Sequence, residues 1–326
     1  MPIITTQTLS ESRLREMASP WLTGGASSPL RVFKDTTQFF NIEFGDIILL
    51  GVNAFLVRHN AREGRFGLDD EVKFWVKRCI DLDNGELKIV KLVFYEEFLS
   101  RIGNIEFKCN RSPRKEARVL SLVAAHPNFM HGYTVPDPQG NLVRVIDYIY
   151  GKTLAAHIEG LKMDHQLYFE TCFPEILKGF IECVDAIRFL HTHGEKHGDI
   201  RRDHIIMDRE KDGTYRWIDY DYTYQHRESK WGYDLFGLGN VLMFLVGKGD
   251  VLMLDLRSME HPALSRLRED DMNIVFHNRV ANLCKIYPYI PERLNRILLH
   301  FSRGAPCFYE TTSELLEDLE EYRSSC

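Results

Sequence analysis

The sequence predicts an α+β fold built as two lobes, a strand-rich part followed by a helix-rich part. Three features predict it. Between Asp46 and Phe94, β-branched and aromatic residues cluster in short runs separated by turn residues. Beyond Gly151, apolar residues recur at helical spacing. No internal repeat points to a solenoid in their place.

The elements follow in order. Residues 1–42 hold Ser, Thr, Gly and Pro between short apolar pieces, and read as an appended arm with one short helix. Residues 43–150 form the first lobe. Strands are expected at Ile47 to Leu50, Phe55 to Arg58, Val72 to Ile80 and Glu86 to Phe94, with turns at Gly51-Val52-Asn53 and at Asp81 to Gly85. A helix is expected near Pro113 to Ala125, where Ala117, Leu120, Val123 and Ala124 share a face and proline stands at the start. After His126-Pro127 a strand pair ends in Leu142 to Tyr150. Residues 151–326 form the second lobe. Phe173 to His191 places Ile176, Leu177, Phe180, Ile181, Val184, Ile187 and Leu190 on one helical face. Further helices are expected at Leu235 to Val246, Pro291 to Ser302 and Thr312 to Arg323, the last capped by Thr312 or Ser313.

Composition narrows the classes. A chain of 326 residues with 44% hydrophobic content can bury two cores. The net charge of −6, with both signs interspersed, argues against a sequence-independent grip on nucleic acid. Seven cysteines without a C-x-x-C pair fit reduced thiols of a cytoplasmic protein better than a disulfide frame or zinc site. Met1-Pro2-Ile3-Ile4-Thr5 lacks the basic-then-apolar run of a secretory leader. The most apolar stretch, Leu235 to Val246, is too short to span a bilayer and reads as a buried helix.

Two aspartates carry the chemistry. Asp199 stands in His197-Gly198-Asp199-Ile200-Arg201, a tight polar loop. Asp219 follows twenty residues later, after a strand, the turn Lys211-Asp212-Gly213 and a second strand, in Trp217-Ile218-Asp219-Tyr220-Asp221. Phosphoryl transfer from ATP needs such a pair: one carboxylate orients the attacking hydroxyl and the other holds the Mg²⁺ that neutralises the phosphates. This order resembles the catalytic and metal loops of the protein-kinase-like superfamily. Glycine before Asp199 resembles aminoglycoside and choline kinases and atypical bacterial kinases, and leaves no arginine there to bind a phosphorylated activation loop.

The resemblance covers roughly residues 45–326 in motif order and implies a two-lobed kinase-like fold that binds ATP and Mg²⁺. It implies Asp199 as catalytic base and Arg201 on the γ-phosphate. Lys91, in Lys88-Ile89-Val90-Lys91-Leu92-Val93-Phe94, would reach the α- and β-phosphates, and Glu116 would pair with it from the helix that runs on to His126-Pro127-Asn128. A solvent-facing edge lysine and a surface glutamate are the bland readings of these two residues. Gly64 and Gly67 would cover phosphates, or simply turn a surface hairpin. The backbones of Asp147 and Ile149, in Val145 to Gly151, would meet the adenine edge. Asp219 would be the principal metal ligand.

Departures from the family pattern define alternatives. His204 stands where kinases carry a second, asparagine metal ligand, which leaves a one-metal site, a preference for an ion such as Mn²⁺, or a weakened enzyme. Asp221 replaces the glycine after the metal aspartate; it is either a further metal ligand facing the same side as Asp219 or the cap of the next turn. Asp234 resembles the residue that holds the catalytic-loop backbone. Few residues separate Asp219 from Asp234, and Ala-Pro-Glu is absent. The leading expectation is a Ser/Thr protein kinase of atypical bacterial type. The alternatives are a kinase for a small alcohol or aminoglycoside, and a pseudokinase serving as a nucleotide-binding scaffold.

Overall fold

The β-rich beginning of the chain forms one long twisted sheet in the computed structural model, which describes residues 9–22, 30–63, 71–103, 105–227 and 229–325. Gly64 and Gly67 lie outside the described residues. In chain order the elements of the first half are α1 (Glu11–Ala18), β1 (Val32–Phe33), β2 (Ile47–Leu50), β3 (Asn53–Glu63), β4 (Glu71–Asp81), β5 (Leu87–Lys91), β6 (Glu97–Ile102), β7 (Ile105–Arg111), α2 (Pro113–Leu122), β8 (Gly132–Pro136) and β9 (Leu142–Asp147). The second half contributes β10 (Gly151–Thr153), α3 (Leu154–Glu159), α4 (His165–Thr171), α5 (Phe173–Thr192), β11 (Ile205–Asp208), β12 (Thr214–Trp217), β13 (Tyr222–Gln225), α6 (Gly232–Val246), α7 (Met253–Ser258), α8 (Glu292–Leu299) and α9 (Thr312–Ser324). The architecture is mixed α and β, with mainly antiparallel sheets, and is compatible with a two-lobed kinase-like fold.

The chain divides into two units. The first comprises Met1–Tyr95, Ser112–Ala124 and Met130–Tyr148; the second comprises Glu96–Arg111, Ala125–Phe129 and Ile149–Cys326. The first unit holds a seven-stranded sheet in the order β1-β2-β3-β4-β5-β9-β8, antiparallel except for the β1–β2 pair. All four residues of β2, Ile47-Ile48-Leu49-Leu50, are buried, because both faces of the sheet are covered. Ile48 and Leu50 join Phe39, Ile42, Phe55 and Val57 on one face. Ile47 and Leu49 join Leu14, Ala18, Leu56 and Ile80 on the other. Within the segment expected as an arm with one short helix, the described residues pack on this core: Ser10 caps α1, and α1 lays Leu14 and Ala18 on the sheet. On the opposite face Lys77 reaches across to tether the same segment, donating to the carbonyls of Phe39 at 3.1 Å and Ile42 at 2.6 Å and to Asn60 at 2.7 Å.

The second unit is mainly helical around α5 and α6. It carries two small sheets, β10-β11-β12 and β13-β7-β6. The β6–β7 hairpin belongs here, although in sequence it lies between Lys91 and Glu116 of the first unit. Alternation of Ile105, Phe107 and Cys109 with Glu106, Lys108 and Asn110 was a period-two signal that marks β7 in the sequence itself. The final helix is capped by Thr311, one residue before the expected pair, in a reciprocal box with Glu314. Thr312 is buried instead and bonds to His191 at 2.6 Å.

Because Leu14 is 2% exposed against the sheet, Leu14→Ala is expected to destabilise the first unit by about 2–3 kcal/mol. Urea unfolding followed by hydrogen exchange of the β2 and β3 amides measures this; unchanged protection would place α1 outside the core.

Candidate active site

Within the first unit, β5 and β9 pair so that Lys91 lies directly opposite Arg144. Both side chains turn to one carboxylate. Lys91 Nζ meets Glu116 Oε1 at 2.7 Å, and Arg144 Nε meets Glu116 Oε2 at 2.9 Å. Glu116 is delivered by α2, whose start is fixed by the Ser112 cap and by Pro113 in the first turn. Lys91 is 3% exposed, Arg144 1% and Glu116 0%. Buried charges persist where they are paired and hydrogen-bonded. Arg144 secures the arrangement further by donating to the carbonyls of Leu142 at 2.6 Å and Leu92 at 3.1 Å. Arg144 escaped the sequence reading, although a charged residue inside Leu142-Val143-Arg144-Val145-Ile146 carries the same signal as Lys91. Asp147 ends β9; its N–H donates to the His131 carbonyl at 2.9 Å, and its carboxylate accepts from Lys88 at 2.9 Å. Ile149 begins the next stretch of the second unit and is buried.

Within the second unit, the loop carrying Asp199 is fixed by Asp234, in the first turn of α6. The Asp234 carboxylate is fully buried and accepts the backbone N–H groups of His197 and Gly198, each at 2.8 Å. It also receives His191 Nε2 at 3.0 Å. Burial pushes this carboxyl up; the His191 hydrogen bond and charge, the nearby His197 and the Gly198 N–H outweigh that and hold it below the usual carboxylate range. His191 in turn bonds Thr312 and stacks on Trp231 at 4.1 Å. Gly198 has φ +86°, and a Cβ there would lie 2.0 Å from the Tyr222 carbonyl oxygen. The residue before Asp199 is glycine for a steric reason: no side chain fits. Gly237 lets α6 approach equally closely, since its Cβ would lie 2.7 Å from that of Ile200.

His204 joins the two aspartate loops. Its Nδ1 lies 2.8 Å from the backbone carbonyl of Asp199. A carbonyl accepts only, so Nδ1 carries the proton. Nδ1 is also 3.6 Å from Asp199 Oδ2, while Nε2 is 3.8 Å from Asp219 Oδ2. The backbones are joined as well, with the Ile218 N–H donating to the His204 carbonyl at 2.9 Å. Asp199 and Asp219 thus stand within 4 Å of one imidazole, and their side chains are 20% and 22% exposed. Asp219 adopts φ +59°, a conformation rare outside glycine that persists where the surroundings over-determine it.

Two further expected residues, Arg201 and Asp221, are each paired with an opposite charge. Arg201 is turned to Asp203 in a two-pronged pair, with Nε to Oδ1 at 3.0 Å. Burial raises the Asp203 carboxyl, but the nearby His204 and the hydrogen bond and charge of Arg201 lower it below its ordinary range. The left-handed backbone at Asp219 interrupts the extended alternation on which a common side for Asp219 and Asp221 rests. Asp221, 1% exposed, meets the Arg111 guanidinium of β7. Burial lifts the Cys109 thiol to about 11 and the Tyr233 phenol to about 12, so both stay protonated and neither competes as a base.

A metal ion would find one imidazole nitrogen and one carboxylate here. Among the described residues no group of three or more His, Cys, Asp or Glu side chains is placed to hold an ion. The pair of Asp219 and His204 fits an ion that draws its remaining ligands from nucleotide phosphates and water, as divalent ions at phosphate sites commonly do.

No protein-family model matches the chain. Part of it is similar to protein kinases. It is 25% identical over 145 residues to a MAP kinase kinase kinase of Saccharomyces cerevisiae, covering 44% of this chain and 8% of the relative. It is 28% identical over 142 residues to a "probable inactive receptor kinase" of Arabidopsis thaliana, covering 43% and 12%. It is 30% identical over 129 residues to a leaf rust 10 disease-resistance locus receptor-like protein kinase of the same plant, covering 39% and 17%. The chain therefore spans less than a fifth of the length of these relatives. The similarity supports a place within a kinase-like superfamily.

Proposed function

We propose that this protein is an ATP-dependent phosphotransferase acting on an alcohol, most specifically a Ser/Thr protein kinase of atypical type. The observation that carries this reading is the His204 ring, which gathers Asp199 and Asp219 within 4 Å of its two nitrogens. The protein-kinase relatives favour a protein hydroxyl over a small alcohol as acceptor.

Each residue then has a physical task. Asp199, partly exposed and with its loop fixed by Asp234, accepts the proton of the attacking hydroxyl and aims its oxygen. Lys91 takes the α- and β-phosphates, and Glu116 and Arg144 hold its ammonium in place. Arg201 exchanges Asp203 for the γ-phosphate, a bidentate anion its planar fork matches. Asp219 and His204 hold a divalent ion, which when bound neutralises charge on the phosphate oxygens. His204 fills the asparagine position by using one nitrogen on the Asp199 carbonyl and keeping the other toward Asp219.

A second reading, a nucleotide-binding scaffold without transfer, is favoured by one observation: Arg201 and Asp221 are each already held by an opposite charge.

Asp199→Ala is expected to reduce phosphate incorporation from radiolabelled ATP by at least ~100-fold, while the thermal shift given by ATP and metal persists. Generic proteins and a panel of small alcohols serve as acceptors in parallel, and equal activity in the variant would remove Asp199 from the mechanism. Labelling of the small alcohols alone would move the acceptor class, and a nucleotide shift with no labelling anywhere would establish the scaffold. For the metal, imidazole favours Mn²⁺ relative to Mg²⁺. The nucleotide-dependent thermal shift should be larger with Mn²⁺ in the natural protein and larger with Mg²⁺ in His204→Asn. An unchanged ratio between the two ions would mean that His204 is not a ligand.

A further inference from the structure

The β6–β7 hairpin has no part in the phosphate chemistry above, yet it grips the segment that follows Asp219. Strand β7 pairs antiparallel with β13, setting Arg111 opposite Tyr222, Asn110 opposite Thr223, Cys109 opposite Tyr224 and Lys108 opposite Gln225. Two anchors reinforce the pairing. At one end Arg111, 6% exposed, donates to Asp221 and to the Tyr222 hydroxyl, reaches Glu96 Oε2 at 3.4 Å and lies over the Tyr222 ring at 4.3 Å. At the other end the fully buried Phe107 ring sits against Tyr224 at 5.7 Å, His226 at 5.2 Å and Tyr233 at 5.3 Å.

Asp219 needs such support. Its left-handed backbone is unfavourable for a residue with a Cβ, so the chain must be held on both sides of it. On the upstream side the Trp217 N–H donates to the Asn128 carbonyl at 2.8 Å and the Ile218 N–H to His204 at 2.9 Å. On the downstream side the hold comes from Arg111 and β7. Asp221 is the hinge of this hold: a carboxylate 1% exposed is tolerated when a guanidinium meets it, and is strongly unfavourable once that partner is removed.

We infer that the β6–β7 hairpin is a built-in clamp on the segment carrying Asp219, and that Arg111 is a positioning residue for Asp219 acting through Asp221. An internal carboxylate occupies the guanidinium, so ordering of residues 219–225 requires no added phosphate. The chain of the hairpin leaves the first unit after Tyr95 and re-enters it at Ser112, the cap of the helix that carries Glu116. The inference rests on the phosphotransferase reading only where Asp219 is taken as an ion ligand.

The test uses the full chain with Arg111→Gln, Arg111→Lys and the isosteric Asp221→Asn. Two readouts are taken: hydrogen exchange of amides 219–225 against those of α5 and α6, and the apparent affinity for Mn²⁺ with an ATP analogue. In Arg111→Gln and Asp221→Asn, exchange of 219–225 is expected to accelerate at least tenfold with α5 and α6 unmoved. Mn²⁺ affinity should fall at least tenfold, and Arg111→Lys should restore part of both. Should Arg111→Gln expose the whole chain to exchange, Asp221→Asn alone decides. Protection of 219–225 within twofold of the natural protein would overturn the clamp. Accelerated exchange in a protein that binds no metal nucleotide would keep the clamp and discard the phosphotransferase reading.

Discussion

The second unit depends on one buried carboxylate. Asp234 sits in the first turn of α6 and takes the two consecutive backbone N–H groups that precede Asp199. Those donors have no other strand or helix to join, and leaving them unmet in the interior would be costly. The loop therefore has one shape as long as Asp234 is ionised, and its neighbours ensure that it is. Through His191 the same carboxylate is tied to Thr312 on α9 and to the Trp231 ring. Glycine at 198 and 237 then follows from contact distance, because the loop lies against both the Tyr222 backbone and α6.

The first unit applies the same logic with the signs reversed. One buried glutamate holds two cations, Lys91 and Arg144, that stand opposite each other across β5 and β9. Lys91 takes Oε1 of that carboxylate and Arg144 takes Oε2, so each oxygen of Glu116 meets a cation. Burial makes this arrangement stringent, since neither cation has water to fall back on.

Much of the molecule was legible in its residues. The long apolar run of β2, the helical face of α5 and the proline-led start of α2 all lie where pattern and propensity put them. Lys91 and Glu116 meet as their positions imply. What escaped notice has physical causes. Arg144 looks like an isolated charge until β9 is laid beside β5. The hairpin of β6 and β7 shows ordinary alternation, but its partner β13 lies more than a hundred residues further on. In the segment expected as an arm the apolar residues are scattered among Ser, Thr, Gly and Pro, and Leu14 and Ala18 show their place only once α1 lies on the sheet.

The sequence by itself determined the order of the elements and the spacing of the two aspartate loops, because local periodicity, turn residues and caps act over a few residues. It also marked His204 as the residue out of pattern. Only the tertiary structure decided which groups meet: that His204 faces both Asp199 and Asp219, that Asp221 turns to Arg111, and that Arg201 rests on Asp203. Side-chain direction after a left-handed residue, and the pairing of strands distant in the chain, depend on contacts that no local pattern encodes.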